Sequence, residues 1–232
     1  MTSEERVVTL PLGKRAAVEG LGTALLLAAV VGSGIMGVNL AEGNDGIALL
    51  ANSIATGAVL STLILALGPL SGAHFNPVVT LVLAYRREFA RGDVVPYVAA
   101  QFIGAFLGVV VAHLMFDLAP LGASEHARDG LSQGLGEVVA TFGLILIILL
   151  VGRRADGSTP YAVGAYITAA YWFTASTSFA NPAVTLARSF TATFAGIRLA
   201  DVPLYVVAQV VGAALAALVV GWIEGTGPKE AP

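Results

Sequence analysis

Six long apolar stretches, at about 16–38, 47–68, 95–116, 133–152, 160–177 and 203–224, dominate this chain of 232 residues and carry almost no charge. A helix of roughly 20 apolar residues crosses the hydrocarbon of a bilayer. Inside hydrocarbon the backbone must satisfy its own hydrogen bonds, which leaves helices as the structure for such runs. The pattern predicts an all-α membrane protein with six spans. With 56% of residues from the set AVILMFWYC and 12% charged, little remains for a separate soluble core. That excludes most soluble enzymes and disordered chains. No cysteine is present, so a disulfide scaffold or thiol active site is excluded, and the net charge of -3 offers nucleic acid no basic footprint. The opening MTSEERVVTLPLGKR mixes acids with bases and has no small-residue cleavage site after a short apolar run. It does not read as a signal peptide. Twenty-seven glycines suit closely approaching membrane helices.

Basic residues sort the connections into two sides. Lys14, Arg15, Arg86, Arg87, Arg91, Arg153 and Arg154, with Arg6 and Lys229 on the tails, flank one side, and Arg128, Arg188 and Arg198 the other. The positive-inside rule then puts both termini in the cytoplasm. The expected organisation is a cytoplasmic tail 1–15, a first repeat 16–116, an extracytoplasmic linker 117–132, a second repeat 133–224 and a cytoplasmic tail 225–232.

Two further apolar stretches, 69–86 and 178–190, are too short to span, and each is interrupted by Asn-Pro: Asn76-Pro77-Val78 and Asn181-Pro182-Ala183. They predict re-entrant half-helices near 76–85 and 181–190. Three landmarks recur in the same order in the two halves. Glu19 to Thr23 matches Glu137 to Thr141, Asn76-Pro77-Val78-Val79-Thr80-Leu81 matches Asn181-Pro182-Ala183-Val184-Thr185-Leu186, and Tyr97 to Ala105 matches Tyr205 to Ala213. Three spans per half, an odd number, place the second copy upside down relative to the first, the inverted-repeat plan of many transport folds.

Asn caps helix N-termini and Pro suits the next position, so either motif alone reads as an ordinary helix start. Their shared position in inverted repeats brings both caps together near mid-membrane. Each half-helix then aims an N-terminus worth about +0.5 charge at the bilayer centre. Two such ends repel cations, and the Asn76 and Asn181 amides can donate to a passing oxygen and orient it against proton relay.

These residues resemble the aquaporin family, the major intrinsic proteins, over essentially residues 16–224. Ser71-Gly72-Ala73-His74-Phe75-Asn76-Pro77 is close to that family's first-loop signature and Asn181-Pro182-Ala183 is its second. Val78 stands where the first motif usually has Ala. The resemblance implies the aquaporin fold, a passive channel, no enzyme activity, no cofactor, membrane lipid around the chain and a homotetramer with one pore per subunit. It places His74 along the cytoplasmic half of the pore, where a buried, satisfied histidine is the alternative. Glu19 and Glu137 lie well within predicted spans, where a charge costs a few kcal/mol unless paired. They read either as proton-relay groups or as braces accepting backbone N–H groups of the re-entrant loops; their symmetry and the resemblance both point to bracing.

The family's outer constriction usually combines an aromatic side chain with an arginine directly after the second Asn-Pro-Ala. Val184 occupies that arginine's position here. Offsets from the motifs give Thr56, Ala169 and Ser178 as its companions, a small, neutral filter without aromatic or cation. Such a filter suits neutral solutes larger than water, namely glycerol, urea or arsenous acid. Bacterial relatives with this non-arginine motif are associated with arsenic handling, so the resemblance implies a bacterial inner membrane. Arg188, one helical turn beyond Val184, either restores a cation to the outer vestibule or complements a helix C-terminus.

Gln101 and Gln209 read as interhelical hydrogen-bonding residues, and Gly104 with Gly108 and Gly212 with Ala216 as helix crossings. His113 and His126 lack metal-ligand spacing, so no metal is expected. The alternatives are a strict water channel and, in another class, a proton-coupled secondary transporter.

Overall fold

The structure, a computed structural model, describes residues 10–154 and 156–225. Arg6 and Lys229, used in the orientation argument, lie outside the described residues, as do most of both tails. Among the described residues eight α-helices run in the order α1 (Leu12–Leu40), α2 (Asp45–Ser71), α3 (Pro77–Tyr85), α4 (Val94–Met115), α5 (Leu131–Val151), α6 (Thr159–Phe173), α7 (Pro182–Ala187) and α8 (Val202–Ile223). Six are the expected spans and two, α3 and α7, are the expected short helices. The described residues form an all-α fold, as the sequence predicts.

Boundaries differ from expectation where local chemistry intervenes. Helix α1 begins at Leu12 rather than 16, which carries Lys14 and Arg15 into its first turns; Arg15 is held by Asp93 at 2.6 Å. Helix α2 starts at the cap Asn44, whose side chain accepts from the Ile47 N–H at 3.2 Å, and runs through Pro69 to Ser71. It stops at Gly72, whose φ of 91° needs a residue without a Cβ. Helix α6 is shorter than the expected 160–177: it ends at Phe173, so residues 174–177 belong to a loop. Its 15 residues extend only about 22 Å at 1.5 Å per residue. The other five spans are each long and apolar enough to cross a membrane.

Packing repeats with the sequence. Helix α1 lies against α4 and α2, as α5 lies against α8 and α6; α4 contacts α7 and α8 contacts α3; α2 meets α6 and α3 meets α7 across the pseudo-twofold. Small residues set the closest crossings. A Cβ added at Gly104 would strike the Gly20 carbonyl oxygen, and one at the matching Gly212 would strike the Val138 carbonyl oxygen. Polarity is distributed as membrane immersion requires. Leu40, Val95, Leu131 and Trp222 are exposed, while Glu19, Gln101, Glu137 and Gln209 are fully buried.

Candidate functional site

The two Asn-Pro motifs build one centre. Asn76 and Asn181 have extended backbones, with φ of -154° and -158°, and each caps the helix that follows, with Pro77 and Pro182 at the first helical position. Asn76 Oδ1 accepts from the Val78 N–H at 3.1 Å. Asn181 Oδ1 accepts from the Ala183 and Val184 N–H groups at 3.0 and 3.2 Å. The amides then cross between halves. Asn76 Nδ2 donates to the Ala180 carbonyl at 2.7 Å, and Asn181 Nδ2 donates to the Phe75 carbonyl at 2.8 Å. An amide nitrogen has two hydrogens, so each Asn keeps one beyond this cross-tie, at a position lining the cavity.

Behind each loop sits a glutamate. Glu19 accepts from the His74 and Phe75 N–H groups at 3.0 and 2.7 Å, from Ser71 Oγ at 2.7 Å and from Gln101 Nε2 at 2.9 Å. Glu137 accepts from the Phe179 and Ala180 N–H groups, both at 2.8 Å, and from Gln209 Nε2 at 2.5 Å. Each glutamine also donates to a threonine, Thr80 at 3.0 Å or Thr185 at 2.8 Å, whose hydroxyl returns to the carbonyl of Asn76 or Asn181. The loops need this support because they are strained. Ala73, Phe75, Ser178 and Ala180 take φ between 47° and 50°, in the left-handed region that non-glycine residues seldom adopt. Neither glutamate lines the cavity.

A cavity of about 120 Å³ runs past both caps. Its walls are stripes spaced four residues apart, one per helical turn: Leu26 and Val30, Leu60 and Ile64, Val79 and Leu83, Leu144 and Ile148, and Val163, Ile167 and Tyr171. Polar groups interrupt these apolar walls at the caps and the ends. His74 stands at one end, where its Nδ1 lies 3.0 Å from Thr80 Oγ1 and its ring packs edge-on against Phe89. Thr56, Ser178, Val184 and Arg188 stand toward the other.

The structure corrects one expected filter residue. Ala169 is exposed on the outer face of α6 and does not line the cavity. It is two residues from both Ile167 and Tyr171, about 200° around the helix from their stripe. Tyr171 takes the place expected for it, with its hydroxyl 3.2 Å from Thr56 Oγ1. An aromatic side chain therefore lines this end, contrary to the expected filter. So does a cation. Arg188, 2% exposed, occupies the second-half counterpart of Leu83. Its guanidinium carbon lies over the Phe179 ring, 3.4 Å from the centroid, and its Nε donates to the Ala195 carbonyl. The Arg128 guanidinium approaches the same ring at 5.0 Å. In the linker nearby, burial first and then the Arg128 and Arg188 charges hold the His126 imidazole below its ordinary pKa.

His113 is tied to the Ala119 and Pro120 carbonyls and to Thr191 Oγ1, which makes it a loop anchor. Among the described residues no group of three or more His, Cys, Asp or Glu side chains is placed to hold a metal.

Inverted helix triplets, two capped half-helices meeting end to end and a cavity past their caps define a membrane channel. The chain belongs to the major intrinsic protein family, whose family model matches residues 6–178 and 157–229. It is 54% identical to an aquaglyceroporin, AqpS, of Rhizobium meliloti over 95% of this chain and 98% of that protein. It is 32% identical to Aquaporin Z of Bradyrhizobium diazoefficiens over 91% and 93%. The X-ray structure of the aquaglyceroporin from Plasmodium falciparum superposes with a TM-score of 0.75, covering 94% of this chain and 98% of that one at 21% identity, a likeness of fold.

Proposed function

We propose that this channel passively conducts water and small neutral hydroxylated solutes, namely glycerol, urea and arsenous acid, while excluding protons and ions. The observation that carries the reading is Val184. An apolar side chain lines the cavity directly after the second Asn-Pro-Ala, and a cation stands one turn further on at Arg188, over the Phe179 ring. The hydroxyl-bearing Thr56 and Tyr171 line the same space, with Ser178 at its border, and suit a polyol, while Ile167 and Val184 give it an apolar wall. The likeness to an aquaglyceroporin over nearly its full length supports the same substrate class.

Cations are repelled by the half-helix N-termini and by Arg188 and Arg128, and the free amide hydrogens of Asn76 and Asn181 orient passing oxygens. Asn76, Pro77, Val78, Asn181, Pro182 and Ala183 form the central motifs in this reading; Thr56, Tyr171, Ser178 and Val184 form the filter. His74 and Arg188 line its two approaches, and Glu19 and Glu137 brace the loops. The protein works as a homotetramer in a bacterial inner membrane, with the Arg188 end outward and both termini in the cytoplasm.

A strict water channel is the competing reading, favoured by the 3.2 Å hydroxyl contact between Thr56 and Tyr171, two residues that line the cavity. A proton-coupled carrier is disfavoured because both membrane carboxylates are occupied by loop N–H donors and stand off the cavity. Stopped-flow light scattering on proteoliposomes separates the three. Uptake of glycerol, urea and arsenite without lumenal acidification is expected. Water flux with none of these solutes would overturn the reading, and acidification coupled to solute would favour the carrier.

A further inference from the structure

The half-helix α3 borders two hollows. Val79 and Leu83 line the central cavity, while Leu81, Val82 and Tyr85 line a separate groove of about 290 Å³. Helix α8 forms its other wall, where the small side chains of Ala213, Ala214 and Ala217 leave the room. Leu81, Tyr85 and Leu218 are exposed, so the groove opens on the outer surface of the protomer. It is apolar along its whole length. From Val210 to Leu218 it follows α8 for about 12 Å, close to the roughly 15 Å of hydrocarbon in one leaflet.

Both walls end among arginines. Arg86, the C-cap of α3, reaches Glu224, the C-cap of α8, at 3.0 Å, and Arg153 shares that carboxylate. Arg86 also engages Glu88 at 2.8 Å. Two further cations are left over. Arg87 and Arg91, both exposed, border one recess with Ala84 and Glu88, and neither forms an ion pair among the described residues. Ala84 is three residues from Leu81, so the recess adjoins the groove on the surface of α3.

We propose that the groove between α3 and α8 seats one acyl chain of an anionic phospholipid, whose phosphate lies between Arg87 and Arg91. An apolar run about one leaflet long with a cationic foot matches the pattern of that single molecule. Glu88, the acid in the recess, is engaged by Arg86 and leaves the other two charges uncompensated. A zwitterionic lipid brings an ammonium along with its phosphate, which the same two guanidiniums repel. Tyr85, exposed at the end of the groove, sits where an aromatic ring suits the boundary between acyl chains and headgroups. The site faces the cytoplasmic leaflet in the orientation proposed above, and it stands whichever solute the channel conducts.

Native mass spectrometry of the full chain in detergent, titrated with phosphatidylglycerol or phosphatidylcholine of the same acyl chains, measures the site. The wild type is expected to bind phosphatidylglycerol at least fivefold more tightly. Arg87→Gln and Arg91→Gln are each expected to weaken it about fivefold, the worth of one basic residue near an anionic lipid, and to leave phosphatidylcholine unchanged. Ala214→Phe fills the groove from an exposed position and is expected to abolish the preference. Lys14→Gln, exposed on α1, which packs on α2 and α4, is expected to change binding less than twofold. Equal affinity for the two lipids overturns the site. So does a loss in Lys14→Gln as large as in Arg87→Gln, which would mean a general surface charge. Phosphatidylglycerol retained by Ala214→Phe overturns the groove as its seat. A smaller assembly of that variant on size-exclusion chromatography assigns the groove to a second copy of the chain and likewise overturns the lipid. If Ala214→Phe does not fold, Ala214→Leu takes its place.

Discussion

Glu137→Gln separates a brace from a proton relay. The substitution keeps shape and volume but turns one acceptor oxygen into a donor. Glu137 Oε1 accepts from the Phe179 N–H and Oε2 from the Ala180 N–H and Gln209 Nε2, while the Ser176 hydroxyl, which also bonds the carboxylate, can turn to accept instead. The better rotamer therefore points the new NH₂ at Phe179, setting donor against donor and leaving one buried N–H unsatisfied at about 1–3 kcal/mol. The other two bonds lose their charge assistance, at roughly 1 kcal/mol each. The total, about 3–5 kcal/mol, falls on a loop whose Ser178 and Ala180 already hold φ of 50° and 47°. For a chain of this size about 3 kcal/mol lowers the unfolding midpoint by roughly 6–12 °C. Thermal unfolding in detergent, followed by tryptophan fluorescence, measures it, and flux at a temperature where the variant is folded completes the test. An unchanged midpoint combined with lost or newly pH-dependent solute flux would refute the bracing argument and assign Glu137 to coupling.

Three more substitutions probe the cavity. Val184→Arg brings a guanidinium into the lumen and is expected to lower glycerol and arsenite permeability at least tenfold while reducing water less; stopped-flow ratios that stay constant would refute it. Ala169→Leu, on the exposed face of α6, is expected to leave every permeability within a factor of two, and a selective loss of glycerol flux would return Ala169 to the filter. Arg188→Gln keeps a donor for Ala195 but removes the charge stacked on Phe179. Cation leak, read as potassium efflux from loaded vesicles, is expected to rise several-fold, and an unchanged leak would reduce Arg188 to a loop anchor.

The parts of this protein written in its sequence are those set by local rules. Asn-Pro at 76 and 181 marked both caps because Asn and Pro have fixed preferences at a helix start. Apolar length marked the spans, and Glu19 with Glu137 marked the loop supports because a carboxylate inside a span needs donors. Counting along the chain failed between α6 and its half-helix. The offset of 12 residues back from Asn181 lands on the exposed face of α6 and selects Ala169. The stripe Val163, Ile167, Tyr171, spaced by four, was the available signal for the lumen-facing side. The stack of Arg188 on Phe179 was not legible, because it depends on how a loop from one segment folds beneath a turn from another.

The cross-ties between Asn76 and Ala180 and between Asn181 and Phe75 bear on how the protein is made. Each half supplies a hydrogen-bond partner for the other half's cap, and both halves contribute walls to the cavity. The N-terminal half emerging from the ribosome therefore encloses no lumen. It holds only one side of a seam, and the lumen closes around its contents when the second half docks. A membrane making this protein is never exposed to a half-built hole, because conduction arrives with the last step of assembly.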